Sequence, residues 1–286
     1  MAFWVSQTLN ALALGGLLFM LASGFSLIFG LMRVANLAHG ALFMLGAYVG
    51  LALVKAGFGF WTAAATTAVL VGVLGGVIER TLLRHLAGRT LPQVLLTLGL
   101  AFIIADACLM TWGGDPMRLP PPPELAGAVR FGDVVFPRYR LFVIFASAAV
   151  ALGLWLLVER TRAGAMIRAA VDDVGMARAI GVSASTLFTA VFCLGTALAG
   201  LGGVIGGPIL SVYPSLDQDM LPLALLVVIL GGAGSLAGAF VGAYIIGFIY
   251  TFGQVLVPDL AYVILFLPMV AVLAVAPQGL FGRRLG

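Results

Sequence analysis

Charge is what this sequence has least of. Of its 286 residues only 9% are Asp, Glu, Lys or Arg, while 62% are hydrophobic; a soluble domain is about 25% charged and 45–50% apolar. A water-facing surface cannot be built from so few polar residues, and lipid is therefore the expected solvent. Histidine and cysteine are equally sparse. His39 and His85 stand alone, with no CxxC or HExxH, which excludes an evident metal centre. Cys108 and Cys193 each lie inside an apolar run and read as small buried hydrophobes. No GxxxxGK[ST] loop occurs, so the chain does not bind and hydrolyse ATP in that way. Neither clustered carboxylates nor a Ser/His/Asp set converges as an embedded enzyme would need. The net charge of +4 comes from arginines in short loops, without the basic, aromatic-interleaved tracts of a nucleic-acid binder. The first residues, MAFWVSQTLN, place no basic residue ahead of the apolar stretch and do not read as a cleavable signal.

What remains is a series of apolar runs of membrane-spanning length, at 9–31, 37–54, 60–78, 91–112, 141–158, 187–207, 236–257 and 260–276, with a shorter run at 221–230. The expected fold is an all-α integral membrane protein, a polytopic bundle of about 8–9 helices in one transmembrane domain. Arginines orient it. Arg80, Arg84 and Arg89, the arginines of 159–185, and Arg283 with Arg284 all fall on one side, expected to be cytoplasmic. The loop 113–140 falls outside; its arginines are offset by Asp115, Glu124 and Asp133, and Pro120 to Pro123 favour an extended shape. The N-terminus then lies outside, and an inside C-terminus requires 221–230 to count as a crossing. Asp106 is an acid within a run, near enough to Trp112 to reach the interface.

Two runs are interrupted alike. In one, Gly30 to Gly40 contains Asn36, His39 and Gly40 and is followed by Gly46-Ala47-Tyr48. In the other, Gly231, Gly232, Gly234, Ser235 and Gly238 are followed by Gly242-Ala243-Tyr244. Broken helices of this kind meet near the midplane of many transporters, where irregular backbone is tolerated only beside protein or a water-filled cavity. Close helix packing by glycine is the plainer explanation. Asn36 and His39 are expected to bind frayed backbone, or to line a path together with Gly40, Gly231, Gly232, Gly234 and Ser235.

The polar insert 159–185 carries Arg160, Arg162, Arg168, Arg178, Glu159, Asp172 and Asp173. Met166, Ile167, Ala170, Val171 and Val174 recur at helical spacing. Asp172 or Asp173 is placed to cap a second short helix ending at Gly181, and Ser183 or Ser185 to cap the next span. A surface helix resting on headgroups is one outcome; a knob that touches a soluble partner is the other, and points to a transporter driven by that partner.

Three motifs carry a family resemblance across nearly the whole chain: LIFGLMRVANLAHGALFMLGAY at 27–48, TRAGAMIRAA at 161–170 followed by AIGV at 179–182, and LGGAGSLAGA at 230–239. With these the chain resembles the permeases of branched-chain amino-acid ABC importers, of the LivH type. The resemblance implies a multi-pass subunit of a bacterial inner membrane, paired with a homologous LivM-type permease, two cytoplasmic ATPases and an external solute-binding protein. ATP is then used by the partners, and no cofactor or nucleic acid is expected on this chain. It also implies that 169–181 docks into the ATPase, with Arg168, Ala169, Ala170, Asp172, Asp173, Arg178 and Gly181 as coupling residues. A stand-alone secondary transporter or channel for a small polar solute is the alternative.

Overall fold

The computed structural model describes residues 1–32, 36–132 and 134–282; Arg33, Val34 and Ala35 of the first interruption, Asp133, Arg283 and Arg284 lie outside the described residues. One helix organises the others. Helix α1 (Ala2–Met32) is buried almost continuously from Ala11 to Ile28. Its apolar residues are spread around every face, the pattern of a helix enclosed by others. Around it stand α5 (Arg138–Arg160), α8 (Ala184–Leu210), α9 (Leu216–Gly231) and α10 (Leu236–Leu256). Outside these, α2 (His39–Lys55) and α3 (Phe60–Thr81) pack on α8, α4 (Thr90–Trp112) packs on α2, and α11 (Ala261–Val275) packs on α10. Two further helices, α6 (Arg162–Asp172) and α7 (Val174–Ala179), form the polar insert. Among the described residues six helices are long and apolar enough to span a membrane; α2, α9 and α11 are shorter. The chain is a helical, multi-pass membrane bundle.

Between helices in lipid there is little hydrophobic drive, and close backbone approach takes its place. Glycine makes that approach here. A Cβ on Gly24 would overlap the carbonyl of Gly195, and one on Gly195 would meet the carbonyl of Gly24 at 2.7 Å. Gly46 faces Gly200, Gly30 faces Gly234, Gly203 faces the Phe43 carbonyl, and Gly247 faces Gly15.

These contacts set the depth of each helix. Leu17 lies at Gly206 and Gly24 at Gly195, so α1 and α8 are antiparallel; Gly46 lies at Gly200 and Gly50 at Val204, so α2 and α8 are parallel. Helix α2 consequently begins inside the bundle, where His39 Nε2 is 3.0 Å from the Leu21 carbonyl. Helix α9 begins at the same depth, since a Cβ on Gly40 would be 2.9 Å from the Asp217 carbonyl. It is preceded by Ser211 and Ser215, both with positive φ (68° and 75°), an unfavourable region for a serine. The partner of the first interruption at depth is thus 211–216. The Gly231–Gly238 interruption lies at the far end of α9, where it meets Gly30.

The two faces of the bundle are distinct. On one, Arg140 bonds Asn10, Lys55 Nζ is 3.2 Å from Met117 Sδ, and Met117 pairs with Val212. There 113–132 and 134–137 include a hairpin pairing, β1 (Ala128–Phe131) against β2 (Val134–Pro137), that the composition of the loop did not announce. On the other lie α6, α7, the start of α8 and the residues after α11, because α9 returns the chain across the bundle.

Identical substitutions separate the two kinds of glycine. Gly24→Ala should lower the melting temperature in detergent by several degrees, an overpacking cost of about 1–3 kcal/mol. Gly99→Ala on α4, with nothing within 4 Å of the new Cβ, should be neutral or slightly stabilising. Equal effects would contradict backbone contact as the basis of packing.

Candidate functional site

The insert is held rigidly from its first residue. Thr161 caps α6 by accepting from the Gly164 amide at 3.1 Å. Gly164 lies so close to the Leu157 and Val158 carbonyls that no Cβ would fit. Arg168 reaches back to the Val158 carbonyl and pairs with Glu159 at 3.4 Å. It thereby satisfies a carbonyl that the end of α5 leaves without a helical partner. Ile167 and Ala170 face inward and Ala169 is half-buried, whereas Met166, expected on the apolar face, is 40% exposed.

Helix α7 is capped at both ends. The Asp173 carboxylate accepts from the Gly175 amide at 2.7 Å and the Met176 amide at 3.0 Å; Asp173, not Asp172, is the cap, while Asp172 closes α6. At the other end the Val182 amide donates to the Ala177 carbonyl and the Gly181 amide to the Arg178 carbonyl, with Gly181 at φ 90°. These are the paired bonds of a Schellman ending, which glycine adopts without strain. Ser183 stands at the N-cap of α8 but its hydroxyl meets Thr186 Oγ1 instead of a backbone amide. Ala177 is buried, Arg178 is exposed, and Met176 and Ile180 are 63% and 69% exposed. Two large apolar side chains beside an arginine, on a helix locked at both ends, make a small contact surface. Helical spacing alone did not find it, since it predicts such residues inside.

The residues of the interruptions occupy two places. Asn36, His39 and Gly40 gather where α2 and α9 begin. Asn36 Oδ1 accepts from the Ala38 amide at 3.2 Å, the Leu37 amide donates to Thr97 Oγ1, and the His39 ring stands edge-on to Phe25. Asp217, in the first turn of α9, is buried beside Gly40. Asn36 Nδ2, His39 Nδ1 and Asp217 Oδ1 are buried without a hydrogen-bond partner. Groups of this kind are costly and call for an explanation such as water or a polar solute. Gly231, Gly232, Gly234 and Ser235 lie apart from these, at the α9–α10 corner. Gly232 (φ 97°) and Gly234 (φ 80°) each adopt a backbone that favours glycine. Ser235 caps α10 by accepting from the Gly238 amide at 3.0 Å. The Leu280 and Phe281 amides donate to the Leu230 and Gly231 carbonyls at 2.9 and 3.0 Å, so the segment after α11 closes the end of α9. Asp106 faces outward on α4. Among the described residues no group of His, Cys, Asp and Glu could hold a metal ion, and Cys108 and Cys193 are free.

Comparison with known proteins accords with this geometry. A family described as the permease component of branched-chain amino acid transport systems matches residues 7–273. The chain is 26% identical to the high-affinity branched-chain amino acid transport system permease protein BraD of Pseudomonas aeruginosa, covering 98% of this chain and 96% of that protein. It is 24% identical to LivH of Escherichia coli K12, described in the same terms, over 98% of this chain and 96% of the relative. A probable LivH of Methanocaldococcus jannaschii is 27% identical over 96% and 91%. Among solved structures, PsaBC from Streptococcus pneumoniae in complex with Fab shares the fold, with a TM-score of 0.50 and 16% identity over 93% of this chain and 89% of that one.

The Asp173 cap gives a direct check on the contact surface. Asp173→Ala should cost α7 about 1 kcal/mol. Amide exchange at Gly175 and Met176 should then quicken by about fivefold, with the spans unchanged. Unaltered exchange would mean that α7 is ordered by something other than its cap.

Proposed function

The chain belongs to the family of branched-chain amino acid transport permeases, and from that premise we propose that it is the membrane subunit of an ATP-driven importer. Its solute is a branched-chain or related small amino acid, in keeping with the names of its relatives. Its partners are a homologous LivM-type permease, two cytoplasmic ATPases and an external solute-binding protein, in a bacterial inner membrane. ATP is bound and split by the partners, and this chain needs no cofactor of its own. The whole chain is one transmembrane domain, with 113–140 facing outside and 159–185 facing the cytoplasm.

The observation that carries this reading is the surface of α7. Met176 and Ile180 stand exposed beside Arg178 on a doubly capped helix. Exposed methionine and arginine beside a second apolar side chain are residues enriched at protein–protein interfaces. Rigid attachment lets a thrust on α7 enter α8 as movement of a span and not as bending of a loop. Arg168, Ala169, Ala170, Asp172, Asp173 and Gly181 shape and hold this element, and Arg178 meets the partner.

Transport then proceeds by alternating access. The loaded binding protein engages the outer face, ATP closes the ATPases, and the thrust on α7 tilts the bundle around its path. ATP shifts that balance only through tighter binding to the closed arrangement. Asn36, His39 and Gly40, joined by Asp217, form the polar part of the path at mid-depth. Gly231, Gly232, Gly234 and Ser235 form the corner on which α9 and α10 turn. A transporter coupled to an ion gradient rests now on Asp217, because its carboxylate is buried and incompletely bonded.

Co-purification separates these readings. A tagged chain from its own host should bring down an ATPase, and Ile180→Asp with Met176→Asp should reduce the ATPase recovered by about tenfold or more, as loss of a hot spot of about 2 kcal/mol implies. Full recovery with the double variant would contradict α7 as the docking element. A cysteine at Met176 should resist a membrane-impermeant thiol reagent in intact cells, while one at Ala126 should be labelled.

A further inference from the structure

The foot of α8 is tied to α3 by charged groups for which the coupling surface and the path have no use. Glu79, in the last turn of α3, is 1% exposed. Its Oε2 accepts from Thr189 Oγ1 on α8 at 2.6 Å and lies 3.3 Å from Arg84 Nη2. The same guanidinium nitrogen donates to Thr189 Oγ1 at 2.8 Å and to the Ser185 carbonyl at 3.4 Å. Thr189 Oγ1 thus sits between the two charges: it accepts from Arg84 and is within donating distance of Glu79 Oε2 and, at 3.1 Å, of the Ser185 carbonyl. A carboxylate this deeply buried is costly unless both a charge and a hydrogen bond meet it. The 3₁₀ turn Leu83–Leu86 carries Arg84 back under α3 to supply them.

What lies on either side of this network gives it a direction. Toward the bundle, α3 and α8 pack closely at their glycines: a Cβ on Gly75 would overlap the Thr196 side chain, one on Gly76 the Cys193 sulfur, and one on Gly72 would meet Ala197 at 3.1 Å. Toward the insert, the Val182 amide holds the Ala177 carbonyl, and Ser183 then opens α8. A thrust on α7 thus enters the chain at Ala184 and Ser185, and the Ser185 carbonyl is where Arg84 grips. We propose that Glu79, Arg84 and Thr189 form a latch of positioning residues that makes α3 and α8 move as one body when α7 is pushed. The proposal rests on the ATP-driven reading above. With the latch open, the first turn of α8 yields locally and the stroke is spent before it reaches the glycine-packed interface.

The test uses the complex purified with its ATPases, set in liposomes, with labelled leucine and its binding protein as probe and phosphate release as the measure of ATP use. Thr189→Val keeps the side-chain shape and removes the hydroxyl; Thr189→Ser restores it. Leucine carried per ATP should fall about tenfold in the valine variant, with assembly and ATP hydrolysis within about twofold of the parent, and should recover in the serine variant. Uptake and hydrolysis falling together would make the network a mere support of the fold and overturn the latch. An unchanged ratio in Thr189→Val would overturn it as well, leaving the importer reading intact. A parent complex whose uptake ignores ATP would overturn both.

Discussion

Enclosure of α1 is the condition on which the rest of the structure depends. In hydrocarbon no water completes backbone hydrogen bonds, so each span must be a helix. Close packing, helped by a few interhelical hydrogen bonds, then holds one helix to another. Gly24 against Gly195, Gly15 against Gly247 and Gly30 against Gly234 bring α8 and α10 onto α1 at backbone distance. These contacts fix the depth at which every neighbour sits. Depth in turn decides that α2 and α9 start inside the bundle, leaving Asn36, His39 and Asp217 where lipid cannot reach and where protein only partly satisfies them.

Much of this was legible in the residues, and what was missed has physical causes. The spans were readable because length and apolarity are sufficient to define them. The interruption at Gly30 to Gly40 was readable because glycines and polar residues broke an apolar run. Its partner at 211–216 was not, because the break is made by Ser211 and Ser215 in a backbone that serine seldom adopts, and no glycine marks the place. The glycines of 231–238 are the more conspicuous break, and they lie at a corner against Gly30 and the segment after α11. The insert was recognised as two short helices, but Met166 points outward and Ala177 inward. Periodicity ranks residues by apolarity, whereas on α7 the large apolar side chains Met176 and Ile180 are the exposed ones. Glu79 and Arg84 looked like ordinary charges at a span end, and only the fold reveals Thr189 between them.

Family membership and geometry address different parts of the function. The relatives establish a permease of a branched-chain amino acid transport system, and say nothing of how force or solute passes through this chain. The geometry supplies an exposed apolar pair on α7, glycine contacts along α8, and buried polar atoms where α2 and α9 begin. Each is built from a different kind of interaction: helix caps at the surface, glycine contacts along the route, buried hydrogen bonds at its foot. The α9–α10 corner is held by backbone contacts of Gly231, Gly232 and Gly234 and by the Ser235 cap.

The central claim is that this chain moves solute only when driven from outside itself. The most direct measurement compares accumulation of labelled leucine by liposomes holding the purified chain alone, under an imposed proton or sodium gradient, with liposomes holding it together with its co-purified partners, binding protein and ATP. Accumulation confined to the second preparation, and lost when ATP is withdrawn, is the predicted result. Gradient-driven accumulation by the chain alone would contradict it and would make Asp217 the centre of a different mechanism.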